Sequence, residues 1–172
     1  MTWFLGPEAL VDAVIAKLQA NMAARVAAIN AEKDDGITIV APDNSRYFAS
    51  AKRQIPPPGP AVLVMDGRMG LDARGEGPHT LSTTTSIGVY MLEEDADEET
   101  LARKLWRQSR AIVESLWDDQ PKEQLLNADG SLLGWKILPT RTTPGPAYEP
   151  EGKGPSLRQF YLTTFTVSRL EQ

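Results

Sequence analysis

Val11, Val14, Ile15, Leu18, Met22, Val26 and Ile29 recur at helical spacing, and alanine fills many of the positions between them. This pattern predicts an amphipathic helix of about 25 residues near the start of the chain. Gly6-Pro7-Glu8 is a start signal, because proline suits a first helical turn and Glu8 and Asp12 favour the positive end of the dipole. Asp34-Asp35-Gly36 ends the run. A stripe of that length needs a surface to pack on, and the rest of the chain has to provide it.

Residues 37–40, Ile-Thr-Ile-Val, predict a short strand, and residues 46–49 a second one or an extended arm. Gln54-Ile55-Pro56-Pro57-Pro58-Gly59-Pro60 excludes helix and central strand. It leads into the apolar run Ala61-Val62-Leu63-Val64-Met65, which predicts a buried strand. Residues 66–79 carry four glycines and no apolar period, and predict a long exposed loop. Residues 80–92 predict a long strand, with Thr83, Thr85, Ile87, Val89 and Met91 on one face and Thr84, Ser86, Gly88, Tyr90 and Leu92 on the other. Asp97 is placed to cap a second helix running to about Trp117, with Leu101, Leu105, Ile112, Val113 and Leu116 on its apolar side. Trp106 and Trp117 are assigned to the core, with an exposed subunit contact as the alternative. Residues 132–140 predict a strand, residues 143–155 a proline- and glycine-rich excursion, and residues 157–170 a final long strand with Phe160 and Leu162 on one face and Tyr161, Phe165 and Val167 on the other. Strands and helices do not alternate as βαβ units. The expected fold is α+β: a single domain over residues 1–172, with an antiparallel sheet of four to five strands, two long helices on one face, and irregular loops at 66–79 and 143–155.

Composition narrows the chemistry. Hydrophobic residues make up 41% and charged residues 24%, which is ordinary for a folded domain. There is no cysteine, so disulfide frameworks, thiol nucleophiles, iron–sulfur clusters and zinc ribbons are excluded. His79 is the single histidine, so one chain cannot build a multi-histidine metal site. The net charge is −5, concentrated in residues 91–130, where 11 acidic side chains face five basic ones. No segment is dense enough in Lys and Arg to track a phosphate backbone. No apolar run is long enough to span a membrane, and Met1-Thr2-Trp3-Phe4-Leu5-Gly6-Pro7 is too short and uncharged for a signal peptide, so the expectation is a soluble chain made in the cytoplasm.

No motif supplies an active site. The glycines at 67, 70, 75 and 77 precede no Lys-Ser/Thr, so they form no phosphate loop. The acidic run from Glu93 to Glu99 lacks the spacing of a calcium loop. His79 has no acid placed by sequence to orient it, and no Gly-x-Ser-x-Gly elbow occurs. The expectation is a non-enzymatic protein with no cofactor and no metal, whose long strands, mobile loop and aromatic residues serve association.

Four features resemble the tail terminator (tail completion) proteins of long-tailed bacteriophages. They are the alanine-rich first helix beginning Leu10-Val11-Asp12-Ala13-Val14-Ile15, the proline-rich run into Pro60-Ala61-Val62-Leu63-Val64, the threonine-rich strand 83–92 followed at once by an Asp97-capped helix, and the last strand Phe160-Tyr161-Leu162-Thr163-Thr164-Phe165-Thr166-Val167. The resemblance spans nearly the whole chain as an architecture, without a short diagnostic motif. It implies a mixed α/β domain with an antiparallel sheet and flanking helices. It also implies a homohexameric ring that caps the tail tube, stops its polymerisation and offers a docking surface to the head-side connector or stopper. DNA would pass through the lumen without specific binding, and the protein would belong to the virion, assembled in the host cytoplasm. Within that scheme the loop at 66–79 is expected to face the partner through Arg68, Asp72 and Arg74, and the strands carrying Ile87, Val89, Phe165 and Val167 are expected to make the ring contact. The competing readings are another neck, head-completion or minor tail protein and, from a different class, a small-molecule-binding or enzymatic α+β domain, which would show a concave pocket with convergent polar groups.

Overall fold

In a computed structural model, residues 7–49, 59–72, 81–117, 125–126, 132–134, 136–149 and 156–171 are described. Helix α1 spans Pro7–Glu32 and buries Val11, Val14, Leu18, Met22, Val26 and Ile29 of the anticipated stripe together with Leu10, while Ile15 is half-buried against the same core. Every exposed position between residues 16 and 31 is alanine. Gly36, with φ of 75°, takes the left-handed conformation that turns the chain back along the helix pair. A single 3-10 turn, Asn44–Arg46, is capped by Asp43 and leads into β1, Tyr47–Phe48.

Strand β2 spans Ala61–Asp72 and β3 spans Leu81–Asp95. Helix α2 follows at Glu98–Leu116. The Asp97 carboxylate accepts the Thr100 N–H at 2.7 Å, which is the cap expected at this position. Strands β4 (Leu125–Leu126) and β5 (Leu132–Gly134) form a separate small pair. Strand β6 spans Lys136–Pro144 and β7 spans Leu157–Glu171.

The main sheet has five strands in the order β1-β2-β3-β7-β6. All its pairs are antiparallel except β1–β2, which is parallel. The fold is therefore α+β, with a mostly antiparallel sheet. Helices α1 and α2 run antiparallel: Lys17 Nζ donates to the Leu116 carbonyl at 3.1 Å and Asn21 Nδ2 to the Ser115 carbonyl at 3.2 Å. These donors satisfy carbonyls that the end of α2 leaves without an intrahelical partner. The core lies between the helix pair and one sheet face, and joins the α1 stripe, Leu101, Leu105, Ile112 and Leu116 of α2, and Val62, Val64, Ile87, Val89, Met91, Ile137, Tyr161, Phe165 and Val167. Register explains the selection, since Ile87 pairs with Phe165 and Thr85 with Val167 across β3 and β7, and alternate residues turn to the same face.

Three local expectations are corrected. Residues 66–72, expected to be loop, belong to β2 and pair with β3 around an irregularity between Asp66 and Met69, and residues 73–79 of that expected loop lie outside the described residues. Long pairing to β3 imposes extended backbone where the local sequence has no period. Residues 37–40 form no strand. Side chains from both helices bind their backbone: Asn30 donates to the Ile39 carbonyl at 2.8 Å and accepts its N–H at 3.0 Å, Arg107 donates to the Ile37 carbonyl, and Gln108 donates to that of Val40 at 2.7 Å. The start of the 143–155 excursion also joins the sheet. Thr143 and Pro144 end β6, the Gly145 N–H donates to the Phe160 carbonyl at 2.8 Å, and Tyr148 bridges Arg158. A Cβ on Gly145 would lie 2.4 Å from the tip of the Phe160 ring, so a side chain here would have to push that ring aside.

Candidate partner-binding surface

The residues expected to contact other subunits divide three ways. Ile87, Val89, Phe165 and Val167 are buried beneath the helices, where their side chains pack into the chain's own core. The strands that carry them are interior: β3 lies between β2 and β7, and β7 between β3 and β6. Strand faces were anticipated correctly, whereas strand order, which decides what is an edge, depends on contacts distant in sequence. Arg68 and Asp72 lie in β2. Arg74 and His79 lie outside the described residues.

Two exposed tryptophans lie on α2 and at its C-cap, and Tyr148, beyond β6, is exposed as well. Trp106 is 59% exposed and Trp117 is 42% exposed, which corrects their assignment to the core. Trp106 follows the fully buried Leu105, and one residue is about 100° of helical turn, enough to leave the apolar side. The Trp106 indole N–H donates to the Tyr161 hydroxyl, which fixes the ring against β7 with much of its surface in solvent.

Around Trp106 lies a groove of about 500 Å³ lined by Lys33, Asp35, Arg103, Arg107 and Arg110. Arg103, Arg107 and Arg110 fall on this side because α2 repeats every 3.6 residues. Their in-plane donors are largely engaged. Arg103 holds Glu99 at 2.6 Å and Asp35 at 3.7 Å. Arg107 holds Asp35, and Arg110 holds Glu32 at 2.8 Å and Glu114 at 2.6 Å. Lys33 pairs with Glu32 at 3.1 Å. The Arg107 guanidinium beside Asp35 holds its carboxyl below the usual range, and Arg110 with Lys33 does the same for Glu32. The wall is thus a balanced ionic lattice that ties the α1 exit to α2. Arginines at 103, 107 and 110 around a tryptophan were the sequence signal for this surface.

A second polar cluster lies under α2. Glu93 is buried at the end of the core face of β3. Burial pushes its carboxyl pKa up, against the pull of the Glu94 N–H and the Lys104 ammonium. Gln108 donates to Glu93 at 3.3 Å, and its Oε1 has no hydrogen-bond partner among the described residues. Beside it, Glu94 and Arg158 oppose each other across β3 and β7 and pair at 3.0 Å, and Ser156 donates to Glu94 at 2.7 Å. Among the described residues no group of three or more His, Cys, Asp or Glu could hold a metal ion, and no helix is long and apolar enough to cross a membrane.

No family model and no curated protein sequence matches this chain. Among solved structures it is similar to a chain of the virion of a native gene transfer agent (GTA) particle, at 16% identity and a TM-score of 0.40, with 94% of this chain and 96% of that chain covered.

Proposed function

We propose that this chain is a structural protein of a phage-type virion and, within that class, a tail terminator. In this reading copies of the chain form a ring that caps the tail tube, stops tube polymerisation and meets the head-side connector or stopper. Its mechanism is assembly, without a chemical step. One observation carries the reading. The element order places two long antiparallel helices on one face of a five-stranded, mostly antiparallel sheet, the architecture that the four sequence features imply for this family. The β2–β3 hairpin with Arg68 and Asp72 in β2, and Arg74 beyond them, is the proposed partner-facing end. A ring presents each contact several times, so individually weak contacts add up to stable capping.

Light scattering on the purified protein tests this reading, combined with negative-stain imaging alone and with assembled tail tubes. Six copies of the 18.9 kDa chain give about 113 kDa. A ring of that mass, or density capping one end of the tubes, is the expected result. A monomer that binds neither tube ends nor heads would refute the assignment and direct attention to a small-molecule ligand.

A further inference from the structure

We infer that the groove at Trp106 receives the aromatic segment Trp3-Phe4-Leu5 of a second copy of this chain. The inference rests on the assembly reading above and supplies one of its contacts.

The groove is suited to an aromatic occupant. Trp106 is anchored through its indole N–H and exposes the rest of its ring, so it is an ordered apolar platform. The surrounding guanidinium groups already hold Asp35, Glu99, Glu32 and Glu114. An acidic segment would have to displace those carboxylates. A guanidinium whose edges are engaged still stacks an aromatic ring on its planar face, so an aromatic segment leaves the ion pairs in place. A volume of about 500 Å³ is within the range that encloses a few large side chains.

Trp3-Phe4-Leu5 is a run of three bulky apolar residues that lies just before α1 and outside the described residues. Its position determines whose groove it can reach. Trp3 is four residues from Pro7, and a fully extended chain of that length covers about 14 Å. The groove lies at the other end of α1, beside Lys33 and Asp35. The 26 residues of α1 separate the two by about 39 Å. The segment therefore cannot reach the groove of its own chain. A neighbour's segment can, and the contact then joins two different surfaces of one chain. Such a heterologous contact repeats head to tail and produces a closed ring when the rotation closes.

The test uses the full-length chain with Trp3, Phe4 and Leu5 replaced by alanine as receptor, so that its groove is not occupied by other copies. The probe is a labelled peptide of residues 1–8, MTWFLGPE, followed by fluorescence anisotropy. Saturable binding is expected, weakened about tenfold or more by Trp106→Ala in the receptor and also reduced by Arg110→Ala. Melting curves confirm that each receptor is folded, and the arginine variant decides the matter if the tryptophan variant is not. No binding up to about 1 mM peptide, or equal binding to the Trp106→Ala and unaltered grooves, would overturn the inference. Light scattering separates it from the terminator reading. Rings that form undiminished without Trp3-Phe4-Leu5 refute the groove contact alone, whereas specific peptide binding by a protein that ignores tube ends sustains the contact and refutes the terminator role.

Discussion

Glu93 places a carboxyl group at the end of the apolar face of β3, where burial favours its protonated form. Its pKa in the folded chain is raised above the unfolded value, so the native state holds the proton more tightly. The resulting stability penalty is absent at pH values below the ordinary glutamate range and grows as pH rises through and above it. Glu93→Gln removes this titration. Thermal melts across pH should show the variant gaining on the parent as pH rises from about 4 to 8, and a constant difference would refute the assignment. Asp97 has the opposite sign: its bond to the Thr100 N–H holds its carboxyl below the usual range, so that contribution is present at neutral pH and lost on acidification. Gly145 is constrained by space. Gly145→Ala should cost about 1 kcal/mol or less in denaturant unfolding, because the half-exposed Phe160 ring must shift for a methyl group.

At the scale of elements, α2 depends on its entry. Asp97→Ala removes the cap and should lower the melting temperature by a few degrees. The segment 37–40 depends on side chains in place of a neighbouring strand. Asn30→Ala deletes both hydrogen bonds to Ile39, and hydrogen exchange should show the Ile39 amide losing protection while the sheet amides of β3 keep theirs. These elements also show what the sequence made legible. Both helices, the Asp97 cap and the alternating faces of β3 and β7 follow from local periodicity, and the structure reproduces them. Residues 37–40 have strand composition, yet Arg107 and Gln108, about 70 positions away, bind their carbonyls, and local composition carries no trace of that. Residues 66–72 have loop composition and are extended through pairing with β3. The hydrophobicity of Trp106 points to the core, whereas its angle on the helix decides its exposure.

At the scale of the molecule, the helices cover one sheet face, and the five-stranded sheet ends in β1 on one side and β6 on the other. Strand β1 is only two residues long and pairs with Val62 and Leu63, so beyond Leu63 no described strand of the main sheet borders the outer side of β2. Strand β6 carries Pro139 and Pro144, which donate no backbone hydrogen bond and blunt that edge against indiscriminate pairing. The site was less legible than the fold, because a surface is defined by strand order and by which side chains the core has already used. Ile87 and Phe165 are legible as apolar strand positions, but their burial against α1 and α2 depends on packing that local sequence does not show.

The order β1-β2-β3-β7-β6 sets a schedule for synthesis. Strand β7 is made after every other described element, yet it sits between β3 and β6 and contributes Tyr161, Phe165 and Val167 to the core. About 60 residues separate the end of β3 from the start of β7, roughly 3–12 s of translation at 5–20 residues per second. Throughout that interval the apolar face of β3 has no β7 beside it, and the helix pair has only part of a sheet to cover. A ribosome-bound chain halted before Phe165 should remain open to protease and to chaperones that hold apolar strands. The same chain extended past Glu171 should become resistant in one step, because the arrival of a single strand completes both the sheet and the core.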